Sequence, residues 1–403
     1  MEGCINLWSG GSTHQVRRGA KQTAILGGWS RFSAPKRTLN FSQRSNIQFP
    51  TPRHPSSAEV AGANRYTAHS DQYLNSTTAL AMFLLKTWRA TAFGIYGYLN
   101  FTKAGYLEHS KKFNPEDMKT QIEGKNCVVT GANSGIGYAT AECLASRGAN
   151  VYIICRNKEK GEAARSKIQS MTGNQNVYLE VCDLSSVNEI KSFASRFSSK
   201  DVPVHVLVNN AGLLENNCVT TSEGHELNFA VNVLGTYTIT ELLLPLLEKA
   251  SPDARVITVS SGGMYTVPLT EDLQFSGNKF NGVEQYARNK RVQVALTEKW
   301  AEMYKDKGIG FYSMHPGWAE TPGVAKSLPG FSERFSGKLR TSKEGADTII
   351  WLALQPKEKL IPGAFYFDRA EAPKHLMFTA TSGSHAAIDS IVSRLRSLST
   401  LSS

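Results

Sequence analysis

Residues 120–370 predict an α/β fold: a doubly wound, parallel, seven-stranded sheet covered by helices, forming a single domain with an N-terminal extension. Two observations predict it. Short apolar runs alternate with helix-length amphipathic stretches, and a glycine cluster stands between the first run and the first helix.

The runs are 127–130, 151–155, 177–181, 204–209, 255–261, 309–314 and 363–367. Helical patterns fall near 135–147, 158–171, 186–198, 222–249, 284–306 and 343–354. Alternation at this spacing builds right-handed βαβ units, which place ligands at the carboxyl edge of the sheet. No internal repeat interrupts the pattern.

The flanks read differently. Of the formal charge of +11, residues 1–65 hold nine Lys or Arg against two Glu, a net +7. The basic excess therefore sits mostly outside the folded body and does not point to nucleic acid. The extension 1–81 is Arg- and Ser-rich and nearly free of acid. It reads either as a targeting peptide for a plastid or mitochondrion or as a disordered tail of a cytoplasmic protein. Residues 82–119 form an amphipathic helical segment. Lys86 and Arg89 break any membrane span, so 79–113 either lies on a membrane surface or packs on the body. The tail 371–403 is polar, but Ile388, Ile391, Leu395 and Leu398 can share one face of a short capping helix. Six cysteines show no CxxC pair, and Cys127, Cys155 and Cys182 lie in or beside apolar runs. They read as buried hydrophobes in a reducing compartment, and no metal site is expected.

The first run continues as Thr130-Gly131-Ala132-Asn133-Ser134-Gly135-Ile136-Gly137. Gly131 permits a tight turn, and Gly135 and Gly137 let backbone approach a pyrophosphate at a helix N-terminus. The second run ends in Arg156, where a guanidinium pairs with the 2′-phosphate of NADP and a carboxylate would favour NAD. NADP is the expected cofactor. Asp183 after the third run either accepts from the adenine amino group or caps the next helix. Asn209-Asn210-Ala211-Gly212 after the fourth gives the small residues that let the adenosine ribose approach. Pro316-Gly317 after the sixth would bring backbone against the nicotinamide amide, and Thr321 would bond it. The Gly- and Ser-rich stretch 318–341 suits a lid, with Trp318, Phe331 and Phe335 either lining it or anchoring it.

The chemistry centres on Tyr286 and Lys290, one helical turn apart on one face. A free phenol titrates near 10. A neighbouring ammonium is expected to lower that value and fit the phenol for general acid–base work. The fifth run ends in Ser260-Ser261, and strand alternation points the two hydroxyls to opposite sides. Ser261 is the one expected to orient a substrate carbonyl. Asn232, polar in an apolar helix, either satisfies backbone locally or holds a relay water.

Thr130-Gly-xxx-Gly-x-Gly137, Asn209-Asn-Ala-Gly212, Ser261 and Tyr286-xxx-Lys290 resemble, in this order, the short-chain dehydrogenase/reductase family. The resemblance spans about 120–370. It implies a seven-stranded Rossmann fold and a small carbonyl or alcohol substrate, with Tyr286 as proton donor or acceptor. It further implies that Lys290 binds the nicotinamide ribose, Ser261 orients substrate and Asn232 holds the relay water. An arginine at the place of Arg156 resembles the NADP-preferring members, and related enzymes often pair as homo-oligomers. A dinucleotide-binding regulator or scaffold with negligible turnover is the alternative function.

Overall fold

The computed structural model describes residues 80–401 apart from positions 278 and 384, so all but the last two residues of the expected extension 1–81 lie outside it. Residues 81–403 form one compact unit.

The chain enters through helix α1 (residues 80–100) and a short α2 (Lys103–Ser110). Thr102 caps α2 by accepting the Gly105 N–H. From β1 (Asn126–Thr130) strands and helices alternate as expected. They are α3 (Gly135–Ala145), β2 (Asn150–Cys155), α4 (Lys158–Thr172), β3 (Val177–Val181), α5 (Val187–Ser198) and β4 (Val206–Asn209). Next come α6 (Leu227–Phe229), a π-helical turn (Ala230–Gly235) and α7 (Thr236–Lys249), then β5 (Arg255–Val259), α8 (Gly282–Met303) and β6 (Gly310–His315). Two short helices follow, α9 (Pro322–Ser327) and α10 (Pro329–Arg334), ahead of α11 (Ser342–Leu354), β7 (Phe365–Phe367), β8 (Ala370–Glu371) and α12 (His385–Leu398).

The sheet order is β3-β2-β1-β4-β5-β6-β7-β8. All pairs are parallel except β7–β8. The order reverses between β1 and β4, which places the crevice of a doubly wound sheet at their carboxyl ends. Strands β1, β4 and β5 are buried along their whole length, because helices cover both faces. One face packs Phe193, Tyr237, Trp300 and Phe311 against α5, α7 and α8. The other packs Leu144, Ile153, Ile349 and Trp351 against α3 and α11.

The eighth strand corrects the expected count of seven. Asp368 and Arg369 both take positive φ, +47° and +59°, as a two-residue hairpin turn requires. Sequence signals for such turns are Asn-Gly pairs, and this one is held by charge instead. Arg369 donates to both carboxylate oxygens of Asp347 (2.7 and 2.6 Å), and Arg340 grips both oxygens of Asp368 (2.5 and 2.8 Å).

The tail folds back as α12, burying Ile388, Ile391 and Leu395 in the first apolar layer. Among the described cysteines Cys127, Cys155 and Cys182 are buried. Burial pushes the Cys127 and Cys182 thiols up to about 12, which suits packing and not nucleophilic chemistry. No metal-binding cluster exists among the described residues.

Candidate active site

The β1–α3 loop is shaped by its glycines. Gly131 has φ +66°, and a Cβ there would meet Ala211 Cα at 2.9 Å. At Gly137 a Cβ would stand 2.4 Å from Asn210 Nδ2, so both positions exclude a side chain. Ser134 N-caps α3 without a side-chain bond to the first turn, so its hydroxyl does not satisfy the N–H groups there. Free N–H groups and the positive end of a helix suit a phosphate, so the loop fits a dinucleotide. Asn133 and Ile136 complete the loop, and Ile136 backs onto α11 at Gly345.

Asn210, absent from the expected set, ties this loop to β4. Its Nδ2 donates to Thr130 O (2.8 Å), and Thr130 Oγ1 accepts the N–H groups of Asn210 and Ala211. Asn209, expected to border the adenosine ribose, is instead buried and donates from Nδ2 to Thr240 Oγ1 (2.8 Å) on α7. Ala211 and Gly212 remain at the carboxyl edge, Gly212 exposed. Arg156 is exposed at the end of β2, two residues after Ile154, whose carbonyl accepts the Gly131 N–H (2.8 Å). Asp183 Oδ1 accepts both the N–H and the hydroxyl of Ser185, while Ser186 supplies the cap of α5.

Tyr286 and Lys290 lie on α8, which Asn281 opens by accepting the Glu284 N–H. The two serines diverge. Ser260 Oγ donates to Lys290 O (2.8 Å), whereas the Ser261 hydroxyl neighbours the Tyr286 phenol and accepts the Gly263 N–H (3.2 Å). Lys290 also borders Gly212, where a Cβ would stand 3.3 Å from its Nζ.

The electrostatics differ from expectation. Burial pushes the Tyr286 phenol above its usual value, outweighing the opposing influence of the Ser261 hydroxyl. Burial also drives the Lys290 ammonium down to about 7. Lys290 Nζ lies 5.4 Å from the Tyr286 ring centroid and spends its protons on Val259 O (2.9 Å) and Gln293 Oε1 (3.0 Å). The ammonium thus does not lower the phenol here. Gln293, another residue missed, donates from Nε2 to Asn232 O (2.6 Å). Positions 286, 290 and 293 share a helical face, which is the signal that marks it.

Asn232 sits in the π-helical turn, fully buried. Its Oδ1 accepts the Leu213 N–H (2.9 Å) and its Nδ2 donates to Leu213 O (2.8 Å). The side chain therefore satisfies backbone, the first of the two uses expected of it. It fixes the loop after Gly212.

Opposite, Pro316 and Gly317 follow β6. Gly317 has φ +76°, and a Cβ would lie 2.3 Å from Arg340 Nε. Thr321 caps α9 by accepting the Val324 N–H (3.2 Å) and holds its methyl against Gly135. Of the lid aromatics, Trp318 packs on Phe335 (4.8 Å) and Phe331 (5.2 Å), and on Phe101 (5.9 Å) beside α1. They anchor the lid to the N-terminal helices.

With this geometry in view, the short chain dehydrogenase family model matches residues 125–330, more than half of the chain. The chain belongs to the short chain dehydrogenase family. Within it, dehydrogenase/reductase SDR family member 12 of Bos taurus is 44% identical over 77% of this chain and 98% of its own. Retinol dehydrogenase 11 of Homo sapiens is 37% identical over 62% of this chain and 78% of its own. Among solved structures, a short chain dehydrogenase from Salmonella enterica subsp. enterica serovar Typhi matches with a TM-score of 0.52 at 23% identity. It covers 64% of this chain and 100% of its own. The Pseudomonas aeruginosa RhlG/NADP active-site complex matches with a TM-score of 0.51 at 22% identity, over 63% and 96%. The family membership makes this an NAD(P)-dependent oxidoreductase acting on a small molecule.

Proposed function

We propose that this short chain dehydrogenase is an NADP(H)-dependent enzyme that interconverts a lipophilic ketone or aldehyde with its alcohol, using Tyr286 as the proton donor or acceptor. The observation that carries the reading is the placing of Tyr286 beside Ser261 at the carboxyl edge of β5, with Lys290 Nζ 5.4 Å from the centre of the phenol ring. When bound, the dinucleotide supplies or accepts the hydride.

The chain's own residues do the rest. Ser261 gives the substrate oxygen a hydrogen-bond partner and holds it near the phenol. The Tyr286 phenol is the group to give its proton to that oxygen in reduction and to take it back in oxidation. Lys290 and Gln293, linked to each other and to Asn232 O, fix the face of α8 on which the phenol sits. Lys290 Nζ, beside Gly212, is the group to hold the nicotinamide ribose, and Pro316, Gly317 and Thr321 would border the nicotinamide. The β1–α3 loop would receive the pyrophosphate, and Asp183 would accept from the adenine.

Arg156 supports NADP over NAD: it is exposed at the end of β2, two residues after the Ile154 carbonyl that bonds Gly131, and its guanidinium would pair with a 2′-phosphate. Relatives named retinol dehydrogenase support a lipophilic substrate. The test is NADPH oxidation by the full chain across a panel of aliphatic, aromatic and polyunsaturated aldehydes and ketones. Turnover that rises with substrate hydrophobicity is expected. A protein that binds NADPH yet turns over none of the panel would support a regulatory role instead.

A further inference from the structure

Helix α1 has two faces. Leu85, Arg89, Phe93, Tyr96 and Gly97 are at least half-buried, and Arg89 donates to Thr379 O (2.6 Å) and Ala380 O (2.9 Å). The opposite face is apolar as well. Leu84, Trp88, Ile95 and Leu99 follow helical spacing and are exposed by 58%, 46%, 60% and 64%. Beside them the loop that receives Arg89 projects Met377 and Phe378, exposed by 75% and 80%. Isolated exposed apolar residues need no explanation, but a ridge and an adjoining loop tip do.

Charge says what covers them. Residues 80–107 contain Lys86, Arg89 and Lys103 and no Asp or Glu, and exposed Lys338 sits 5.7 Å from the centre of the Tyr98 ring. An apolar ridge with a Trp and a Tyr, bordered by the exposed Lys103 and Lys338 and with no Asp or Glu within residues 80–107, matches an anionic lipid surface. Among the described residues only Leu227–Lys249 is long and apolar enough to cross a membrane, and 78% of its apolar window is buried inside the protein. Helix α1, with Lys86 and Arg89 in its middle, suits lying in the interface.

Position links this surface to the site. Lys86 bonds Glu284 (2.9 Å), two residues before Tyr286, and Tyr98 lies 6.5 Å from the lid residue Phe335. Helix α1 therefore runs from the first turn of α8 to the lid.

We propose that α1 and the Met377–Phe378 tip dock on an anionic membrane surface, so that the site draws a carbonyl substrate dissolved in the bilayer. The substrate clause rests on the oxidoreductase reading, and the docking clause does not. The experiment is flotation of the full chain with vesicles of phosphatidylcholine, alone or with about 30% phosphatidylserine. Wild type is compared with the double variant Leu84→Asp/Trp88→Asp and with Phe378→Asp. Wild type is expected to float with the anionic vesicles, and the double variant to lose about tenfold or more in partitioning. Both variants should keep turnover of a water-soluble carbonyl and lose it on a long-chain aldehyde held in vesicles.

Three outcomes overturn the docking. Wild type stays in solution; or the variants float as wild type does, which assigns binding to residues outside α1; or wild type is a dimer that the variants dissolve, which makes the ridge a contact between copies. Flotation without turnover of any carbonyl would leave the docking standing and remove the oxidoreductase reading. Equal loss of both turnovers in variants that no longer float would overturn the delivery of substrate from the bilayer.

Discussion

The imidazole of His315 meets the ring of Phe101 edge-on, with centroids 4.2 Å apart and planes at 76°, while its Nδ1 accepts the N–H of Gly262 at 3.0 Å. The contact joins a residue ahead of the family-matched core to the loop directly after Ser261. Because Nδ1 accepts, the ring proton is on Nε2, which has no hydrogen-bond partner among the described residues. Burial, with Arg340 and Lys290 nearby, holds His315 well below its usual value, so it is neutral at pH 7.

Acid should therefore loosen the protein through His315. Its folded value is depressed, so the unfolded chain binds the extra proton as pH falls below 6.5 and stability is lost from there downward. The slope from this group is at most about 1.4 kcal/mol per pH unit. Urea unfolding of His315→Gln between pH 7 and 5 should show a shallower decline than wild type. Parallel curves would reject the buried neutral imidazole.

Lys290 predicts the opposite end of the scale. Its folded value of about 7 lies below the usual 10.5, so the folded protein sheds a proton that the unfolded chain keeps between those values. Stability contributed by this group rises from pH 7 toward 10.5 and is constant above. The melting temperature of wild type should gain on that of Lys290→Met across that window. An unchanged difference would mean the ammonium is not desolvated.

The pair Arg340–Asp368 is 1% and 3% exposed and holds both the hairpin turn and the backbone of Asn100, Phe101 and Thr102. Asp368→Asn leaves a buried guanidinium partly uncompensated, and should cost about 3–5 kcal/mol by denaturant unfolding. A loss under 1 kcal/mol, by the same principle, would show that the pair is not the hub joining α1–α2 to the sheet.

Arg156→Asp should weaken NADPH binding by about tenfold to a hundredfold and leave NADH binding within about twofold, since a charge-assisted bond is replaced by repulsion. Titration of cofactor fluorescence with each dinucleotide reads this directly. Equal losses for both would remove Arg156 from the 2′-phosphate.

What the sequence made legible was local. The Gly131–Gly137 spacing, the run ending in Ser261 and the four-residue step from Tyr286 to Lys290 all operate over one loop or one helical turn. The strand–helix alternation did the same for β1 to β7. What stayed hidden was made by contacts between distant segments. Asp368–Arg369 turns because Arg340 and Asp347 clamp it, and no turn composition announces that. Asn209 and Asn210 are adjacent and chemically alike, and only the packing of α7 decides which amide holds the β1–α3 loop. The Lys290 value likewise depends on burial that periodicity does not measure.

The central claim is that the Tyr286 phenol moves the proton. Single-turnover oxidation of NADPH by saturating carbonyl substrate, in wild type and Tyr286→Phe, tests it most directly. A rate loss of about a hundredfold to ten-thousandfold is expected, with NADPH affinity nearly unchanged. Equal rates in the two proteins would contradict it.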